Sequence, residues 1–312
     1  MTEDLSGTIF VSVVDTYPNV DLNRGSCNDT EGRERVAVSE ATRGRTAVML
    51  IFGQSNGANS GDTPYVPRGR VFNFNLFDGH CYVARDPLLG ATEDRGNFAG
   101  RMADMLIERG HFDSVVLAPI GVGGSRIEEW TTGGSRHRRL QLLIRRAFDA
   151  GLTFTHALWH QGESNARYDA DGPLYAACFM NIHAAMRRYG VDAPIYVAQA
   201  TICNSPRDET IRAAQRSVVD PRLGILPGPD TDTIGPEHRY DGCHMAESGL
   251  IRHAELWVTA LTGEAARAVP PEVPENAMAL NYLRKIGRLG SFGENWVRSA
   301  RARIGFVLRN RR

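Results

Sequence analysis

The chain has 312 residues, of which 42% are hydrophobic and 23% are charged, so it can bury one sizeable core. Its 36 basic residues balance its 36 acidic residues, and with no net positive field we predict no nucleic-acid partner. No stretch has the ~18 apolar residues that a membrane-spanning helix needs. The segment that begins at Met1 lacks the pattern of a secretory signal, and we therefore expect a cytoplasmic protein.

The cysteines are five in number and widely spaced, without the spacing of a zinc site. This pattern favours free thiols in a reducing compartment and predicts no metal. The five positions are Cys27, Cys81, Cys178, Cys203 and Cys243.

The predicted strands begin after an N-terminal extension, residues 1–45, whose apolar segment 8–14 could add an edge strand. Short apolar runs then predict five buried strands. These cover residues 47–52, 114–119, 155–159, 194–199 and 222–226.

Helical periodicity lies between these strands and after the last one. It predicts helices around 98–106, 140–148, 175–186, 207–219 and 246–262. Because parallel strands need crossover connections, the alternation predicts an α/β fold, a three-layer α/β/α sandwich around a five-stranded parallel sheet.

The C-terminal part of the chain differs from the rest. A Pro-rich linker is predicted at 266–282, and residues 283–312 contain nine Lys or Arg residues against one acidic residue, Glu294. Trp296, Ala300 and Ile304 share one face of a helix in this tail. Such a basic amphipathic segment could bind the anionic inner face of a membrane, a partner or the protein itself.

Polar and glycine-rich segments follow four of the predicted strands, three of them directly and the fourth at the end of a loop. They occupy 53–57, 121–125, 160–165 and 240–244. Because ligands bind at the carboxyl ends of parallel strands, these segments are expected to meet on one rim of the sheet.

The residue types in these segments fit acyl transfer. Ser55 is a candidate nucleophile, His244 its base, and Asp241 the group that orients the imidazole. The Ser55 and Gly124 backbone N–H groups and the Gln161 side-chain amide are candidate donors to an oxyanion.

Each of these residues also has a purely structural interpretation. Ser55 could be a turn residue or helix cap, and the Asp241–His244 pair could cap the following helix. The glycine-rich turn at 121–124 could be a simple turn or an anion-binding nest. Glu163 could support the site without taking part in the chemistry.

Four blocks resemble the motifs of the sialate O-acetylesterase-like family, a carbohydrate acetylesterase branch of the SGNH hydrolases. They are GQSN at 53–56, VGGSRIEEW at 122–130, WHQGES at 159–164 and DGCH at 241–244. The resemblance spans residues 46–262 and implies a flavodoxin-like sheet without a metal or an organic cofactor.

The resemblance assigns roles to the same residues. It implies Ser55 as nucleophile, His244 as base and Asp241 as acid, with Glu163 as the reserve candidate for the acid. Gly124 and Gln161 match the family's oxyanion positions. Gln54 and Asn56, which flank Ser55, are secondary candidates.

A long insertion between Ser55 and the helix near Phe98 is predicted to form a wall of the site. Within it, residues 70–77 alternate well enough for a strand or hairpin. Four aromatic residues could stack on a sugar or belong to the core: Phe72, Phe74, Trp130 and Trp159. The sequence shows no extended apolar segment that could line a tunnel for a long acyl chain, which favours a short acyl group as the one removed.

The function expected from these observations is removal of O-acetyl groups from a carbohydrate. Two alternatives remain at this point: an O-acetyltransferase that uses the same triad, and a non-catalytic sugar-binding module. The presence of Ser55, Asp241 and His244 together argues against the module.

Overall fold

Short apolar strands form one eight-stranded sheet within residues 25–263, the part of the chain that the computed structural model describes. The strands are β1 (Arg35–Val36), β2 (Thr46–Gly53), β3 (Val71–Phe74), β4 (Cys81–Val83), β5 (Ser114–Pro119), β6 (His156–His160), β7 (Ile195–Gln199) and β8 (Ile225–Asp230). The order across the sheet is β1-β4-β3-β5-β2-β6-β7-β8.

All five predicted strands are present, as β2, β5, β6, β7 and β8, and they pair in parallel. Taken in chain order, their arrangement is the 2-1-3-4-5 order of flavodoxin-like sheets. The count of five was wrong, because β3 pairs in parallel with β5, and β4 and β1 then add in antiparallel orientation. Strands β1 and β4 have two and three residues, too few to give a periodic signal, whereas β3 lies within residues 70–77, where the alternation predicted a strand or hairpin.

Helices cover both faces of the sheet. They are α1 (Val38–Ala41), α2 (Phe98–Glu108), α3 (His137–Asp149), α4 (Glu163–Tyr168), α5 (Gly172–Arg188), α6 (Glu209–Ser217) and α7 (Glu247–Thr262). The sequence predicted α2, α3, α5, α6 and α7, whereas the short helices α1 and α4 were not predicted.

Alternate residues of β2 belong to two different cores. Leu50 and Phe52 pack on the side covered by α3, α5 and α6, whereas Met49 and Ile51 pack on the side covered by α2 and α7. A strand that is buried on both faces reads as a continuous apolar run, which explains why the sequence revealed it. The predicted three-layer α/β/α sandwich is confirmed.

The termini carry several predictions that lie outside the described residues: the strand at 8–14, the linker at 266–282 and the basic tail at 283–312. The division into domains and the contact of the tail with a membrane or partner therefore stay predictions. Strand β1, within the predicted extension, forms one edge of the sheet. Between residues 25 and 263, no helix combines the length and apolar character that crossing a membrane requires.

The prediction of five free thiols was wrong for two of them. Cys203 and Cys243 form a disulfide across 40 residues of sequence, whereas Cys27, Cys81 and Cys178 are free. The two bonded cysteines lie in loops at the same rim of the sheet, a proximity that sequence spacing does not reveal. The cysteines of this chain therefore no longer indicate a reducing compartment.

Gly53, at the end of β2, provides a test of this packing. Its φ is +122°, and a Cβ added there would lie 2.0 Å from the His160 carbonyl oxygen. We expect Gly53→Ala to cost more than about 3 kcal/mol of unfolding free energy, because two backbones must separate. Urea denaturation would measure the loss.

Gly110→Ala is the matched control, since Gly110 also has a positive φ but no atom within 4 Å of an added Cβ. This variant should lose only about 1 kcal/mol. Equal losses in the two variants would contradict the close approach at Gly53.

Candidate active site

Ser55 lies directly beyond the carboxyl end of β2. It begins a single 3₁₀ turn, Ser55–Gly57, and is 6% exposed. Strands β5 and β6, which follow β2 in the parallel part of the sheet, lie on either side of it. The strand order therefore reverses at β2, and its carboxyl end is the topological switch point where α/β proteins bind ligands.

A cavity of about 290 Å³ opens at this point. It brings together Ser55, Gly124, Asp241 and His244, which come from three of the four motif blocks. The full set of lining residues is Ser55, Ser60, Glu93, Arg95, Gly123, Gly124, Tyr240, Asp241 and His244.

The Asp241 carboxylate binds His244 twice. One oxygen, Oδ2, lies 2.6 Å from the imidazole Nδ1, and the other, Oδ1, accepts the His244 backbone N–H at 2.7 Å. Oδ1 also accepts the Cys243 backbone N–H. An imidazole bonded through Nδ1 is held in one orientation with Nε2 available for proton transfer.

These bonds also fix the ionisation of the carboxyl. Partial burial alone would raise the pKa of Asp241, but the hydrogen bonds from His244 and Cys243 outweigh it and hold the pKa below its usual value. The carboxylate is therefore charged at neutral pH and can stabilise a protonated imidazole.

The Ser55 hydroxyl and the His244 imidazole face the same cavity, but no hydrogen bond joins them in the described part of the chain. Hydrogen bonds of this kind are often long in a site without substrate and tighten when substrate binds. The proposed contact between these groups is therefore compatible with the geometry and is not formed in this state.

Two backbone N–H groups are available beside the hydroxyl. In residues 25–263, neither the Ser55 N–H nor the Gly124 N–H donates to another protein group. The neighbouring Gly123 N–H, in contrast, donates to Thr92 Oγ1 at 2.8 Å. Free donors at the edge of a cavity are what an oxyanion requires.

Gln161, the third predicted oxyanion donor, does not reach the cavity. Its side chain is fully buried, and its Nε2 donates to Gln54 Oε1, Ser125 O and Asn165 Oδ1. The two hydrogens of this amide have three acceptors within reach, and in this state Gln161 joins the segments around Gln54, Ser125 and Asn165.

Gln54 and Asn56 also point away from the cavity. Gln54 Oε1 accepts backbone N–H groups of Gly162 and Ser164 at the start of α4. Asn56 Nδ2 donates to Glu163 Oε1 at 2.9 Å and to the Cys243 carbonyl at 3.4 Å. Both residues therefore anchor the Ser55 turn.

Glu163, the reserve candidate for the acid, has no hydrogen bond to His244. It is 2% exposed and bonds Asn56 and His160. Burial would raise the pKa of Glu163, but the His160 imidazole and the Asn56 amide lower it well below its usual value. Its geometry fits a buried support under the Ser55 turn.

The polar chain continues beneath the site in a way that sequence reasoning missed. His160 Nδ1 lies 3.2 Å from His253 Nε2, which accepts the Trp257 indole N–H at 3.0 Å. Burial, with smaller contributions from His160 and Arg239, lowers the pKa of His253 well below its usual value. The position of His160 inside a motif was the available signal.

The four aromatic candidates for sugar stacking belong to the core. Phe74, Trp130 and Trp159 are fully buried, and Phe72 is 6% exposed. The cavity wall instead contains Glu93, Arg95 and Tyr240, which sequence reasoning did not single out. Glu93 and Arg95 belong to the insertion that was predicted to form the wall.

Tyr240 and Arg95 contact each other at the edge of the cavity. The guanidinium carbon lies 5.5 Å from the centre of the phenol ring, and the Tyr240 hydroxyl donates to the Ser60 carbonyl. Arg95 forms no ion pair with the residues that the structure describes. In the same part of the chain, no group of three or more His, Cys, Asp or Glu side chains could hold a metal ion.

Several solved structures align with this chain, and the first of those described here supports its fold. A protein from Arabidopsis thaliana is similar, with a TM-score of 0.59 and 17% identity over 70% of this chain and 98% of that one. NanS aligns with a TM-score of 0.49 and 15% identity over 72% and 98% of the two chains. A carbohydrate acetylesterase from Xanthomonas citri aligns with a TM-score of 0.46 and 16% identity over 71% and 57%.

No curated protein sequence matches the chain. A family model does match, over residues 45–262, and it describes a carbohydrate esterase, sialic acid-specific acetylesterase. This match confirms the resemblance seen in the motif blocks. The chain therefore belongs to the sialic acid-specific acetylesterase family of carbohydrate esterases and is a carboxylic ester hydrolase.

Proposed function

We propose that this esterase removes O-acetyl groups from a carbohydrate through an acetyl-enzyme on Ser55. The single observation that carries the proposal is the pairing of Asp241 and His244 at 2.6 Å on the wall of the cavity that Ser55 also lines. Removal of a small acyl group needs a nucleophile, a base and donors to an oxyanion, and this cavity offers all three.

The reaction begins with attack of Ser55 Oγ on the ester carbonyl carbon while His244 takes the hydroxyl proton. The Ser55 and Gly124 N–H groups donate to the oxyanion that develops. His244 then protonates the departing sugar oxygen, and the acetyl group remains on Ser55. A water molecule, deprotonated by His244, attacks this ester and releases acetate.

The lining of the cavity supports a polar substrate. None of its nine residues is Val, Leu, Ile, Met or Phe, so a long acyl chain would find no apolar surface. Glu93, Arg95 and Tyr240 can instead bind sugar hydroxyls or charged groups, and the Tyr240 ring can pack on a sugar face. We assign these three residues to recognition of the sugar.

Replacing Ser55 with Ala should lower kcat/KM for p-nitrophenyl acetate by at least about a thousand-fold, because the acetyl-enzyme cannot form. Ser60→Ala is the matched control, since Ser60 lines the same cavity, and it should lose less than about ten-fold. Thermal unfolding would verify that both variants fold. If Ser55→Ala retained its turnover of p-nitrophenyl acetate, the reaction would not proceed through an acetyl-enzyme on Ser55.

Asp241→Asn and Glu163→Gln should separate catalysis from support. Asp241→Asn should lower kcat by about 10²- to 10⁴-fold at a similar KM, because the imidazole loses its orienting anion. Glu163→Gln should lower kcat far less and reduce the free energy of unfolding more, because its carboxylate is buried. The reverse order in a steady-state assay would exchange their assigned roles.

Arg95→Ala should raise KM for an acetylated sugar by about ten-fold and leave turnover of p-nitrophenyl acetate unchanged, since that substrate has no sugar to bind. Arg222→Ala, an exposed residue paired with Asp220, is the matched control. Acetate release from a panel of acetylated sugars measures the change in KM, and p-nitrophenol release measures turnover of the small ester. Repeating the sugar assay with a sugar acceptor detects transfer. An unchanged KM in Arg95→Ala would contradict the assignment.

A further inference from the structure

The loop that carries Asp241 and His244 is covalently tied to another part of the protein. Cys243 lies between these two residues in the chain and forms a disulfide with Cys203 in the segment after β7. The bonded cysteine is 2% exposed. A displacement of its backbone would therefore act directly on the candidate catalytic pair.

Cys243 contacts both sides of the site. Its backbone N–H donates to Asp241 Oδ1 at 2.9 Å, the oxygen that also accepts the His244 N–H. Its carbonyl accepts a hydrogen bond from Asn56, the residue directly after Ser55. The cysteine thus links the Asp241–His244 loop to the Ser55 turn.

The segment on the other side of the disulfide is firmly anchored. The backbone N–H groups of Thr201 and Ile202 both donate to Asp232 Oδ1, at 2.8 and 3.0 Å. The other carboxylate oxygen of Asp232 pairs with the buried Arg212 at 2.9 Å. Cys203 follows this anchored stretch and offers a fixed point to the catalytic loop.

A second contact joins the two loops beside the disulfide. The Asn204 N–H donates to the Gly242 carbonyl at 3.0 Å, and a Cβ added to Gly242 would lie 2.4 Å from Asn204 Oδ1. A side chain at position 242 would have to displace the Asn204 amide, and the positive φ of Gly242, +78°, also disfavours one. This non-covalent contact does not depend on the disulfide.

We propose that the Cys203–Cys243 disulfide is a positioning element of the esterase: it holds the Asp241–His244 pair in register with Ser55, and its reduction slows acyl transfer. This inference rests on the proposed function. Neither Cys203 nor Cys243 lines the cavity, so both would act through the loop.

Reduction follows thiol–disulfide exchange with a dithiol. One thiolate of the reductant attacks a sulfur of the disulfide and releases the other cysteine, and the second thiol of the reductant then displaces the remaining one. Two electrons and two protons pass to Cys203 and Cys243, and the reductant becomes a cyclic disulfide. A phosphine achieves the same reduction with one water, whose oxygen ends on phosphorus.

The free cysteines are poorly suited to breaking this bond from within. Burial raises the pKa of the Cys81 and Cys178 thiols to about 12, so neither is a thiolate at neutral pH. Burial also raises the pKa of Cys27. None of the three free thiols is therefore suited to attack the Cys203–Cys243 bond at neutral pH.

The test compares oxidised and phosphine-reduced full-length protein after removal of the reductant under nitrogen. We expect kcat for p-nitrophenyl acetate to fall by about 10- to 100-fold at a similar KM, because small misplacements of catalytic groups cost this much. The rate at which a fluorophosphonate labels Ser55 should fall in parallel. Reoxidation with oxidised glutathione should restore both.

Variants separate this role from others. Cys203→Ser should behave like the reduced protein and show no further response to the phosphine, whereas Cys27→Ser, which removes a free thiol, should respond like the natural chain. Mass spectrometry after alkylation would count the thiols released. Circular dichroism at the assay temperature would report whether the fold survives.

Equal kcat in the oxidised and fully reduced protein would overturn the inference and leave the proposed esterase intact. Global unfolding on reduction would also overturn it, because the bond would then hold the fold and not the site. Absence of ester turnover in both states would reject the proposed function itself, and the inference with it.

Discussion

At the end of β2, the backbone of Gly53 lies against the backbone of His160 so closely that no side chain fits between them. The groups around this contact join three motif blocks, since the Gln54 N–H donates to the His160 carbonyl and the Val122 N–H donates to the Gly53 carbonyl. The Ser125 hydroxyl also donates to the Gly53 carbonyl. The position of the Ser55 turn depends on this contact, and the cavity forms around that turn.

Beneath the turn, buried polar groups form directional hydrogen bonds, which apolar packing cannot provide. Glu163 connects Asn56 to His160, and the chain continues to His253 and Trp257. Each hydrogen bond of this chain orients the groups on both sides of it, while Glu163 Oε2 and His253 Nδ1 are buried without a hydrogen-bond partner among residues 25–263. The motif residues that flank Ser55 are thereby explained as supports, while the cavity itself is lined by Ser55, Gly124, Asp241 and His244.

The cavity wall comes from less regular parts of the chain. Glu93 and Arg95 lie in the long insertion after Ser55, and Tyr240 precedes the Asp241–His244 pair. Turns and loops beyond the carboxyl ends of the strands thus supply the proposed chemistry, and Glu93, Arg95 and Tyr240 supply the surface that would meet a sugar.

The sequence alone determined the parallel strands, the main helices and the rim on which the motif residues meet. Burial on both faces of a strand and the 3.6-residue helical repeat are local signals, and the rule that sites lie at carboxyl ends of parallel strands places the motifs. Only the tertiary structure decided the short strands β1 and β4, the place of β3 in the sheet, the disulfide between Cys203 and Cys243, and the inward direction of Gln161. Each of these depends on which distant segments meet, and no local pattern records that choice.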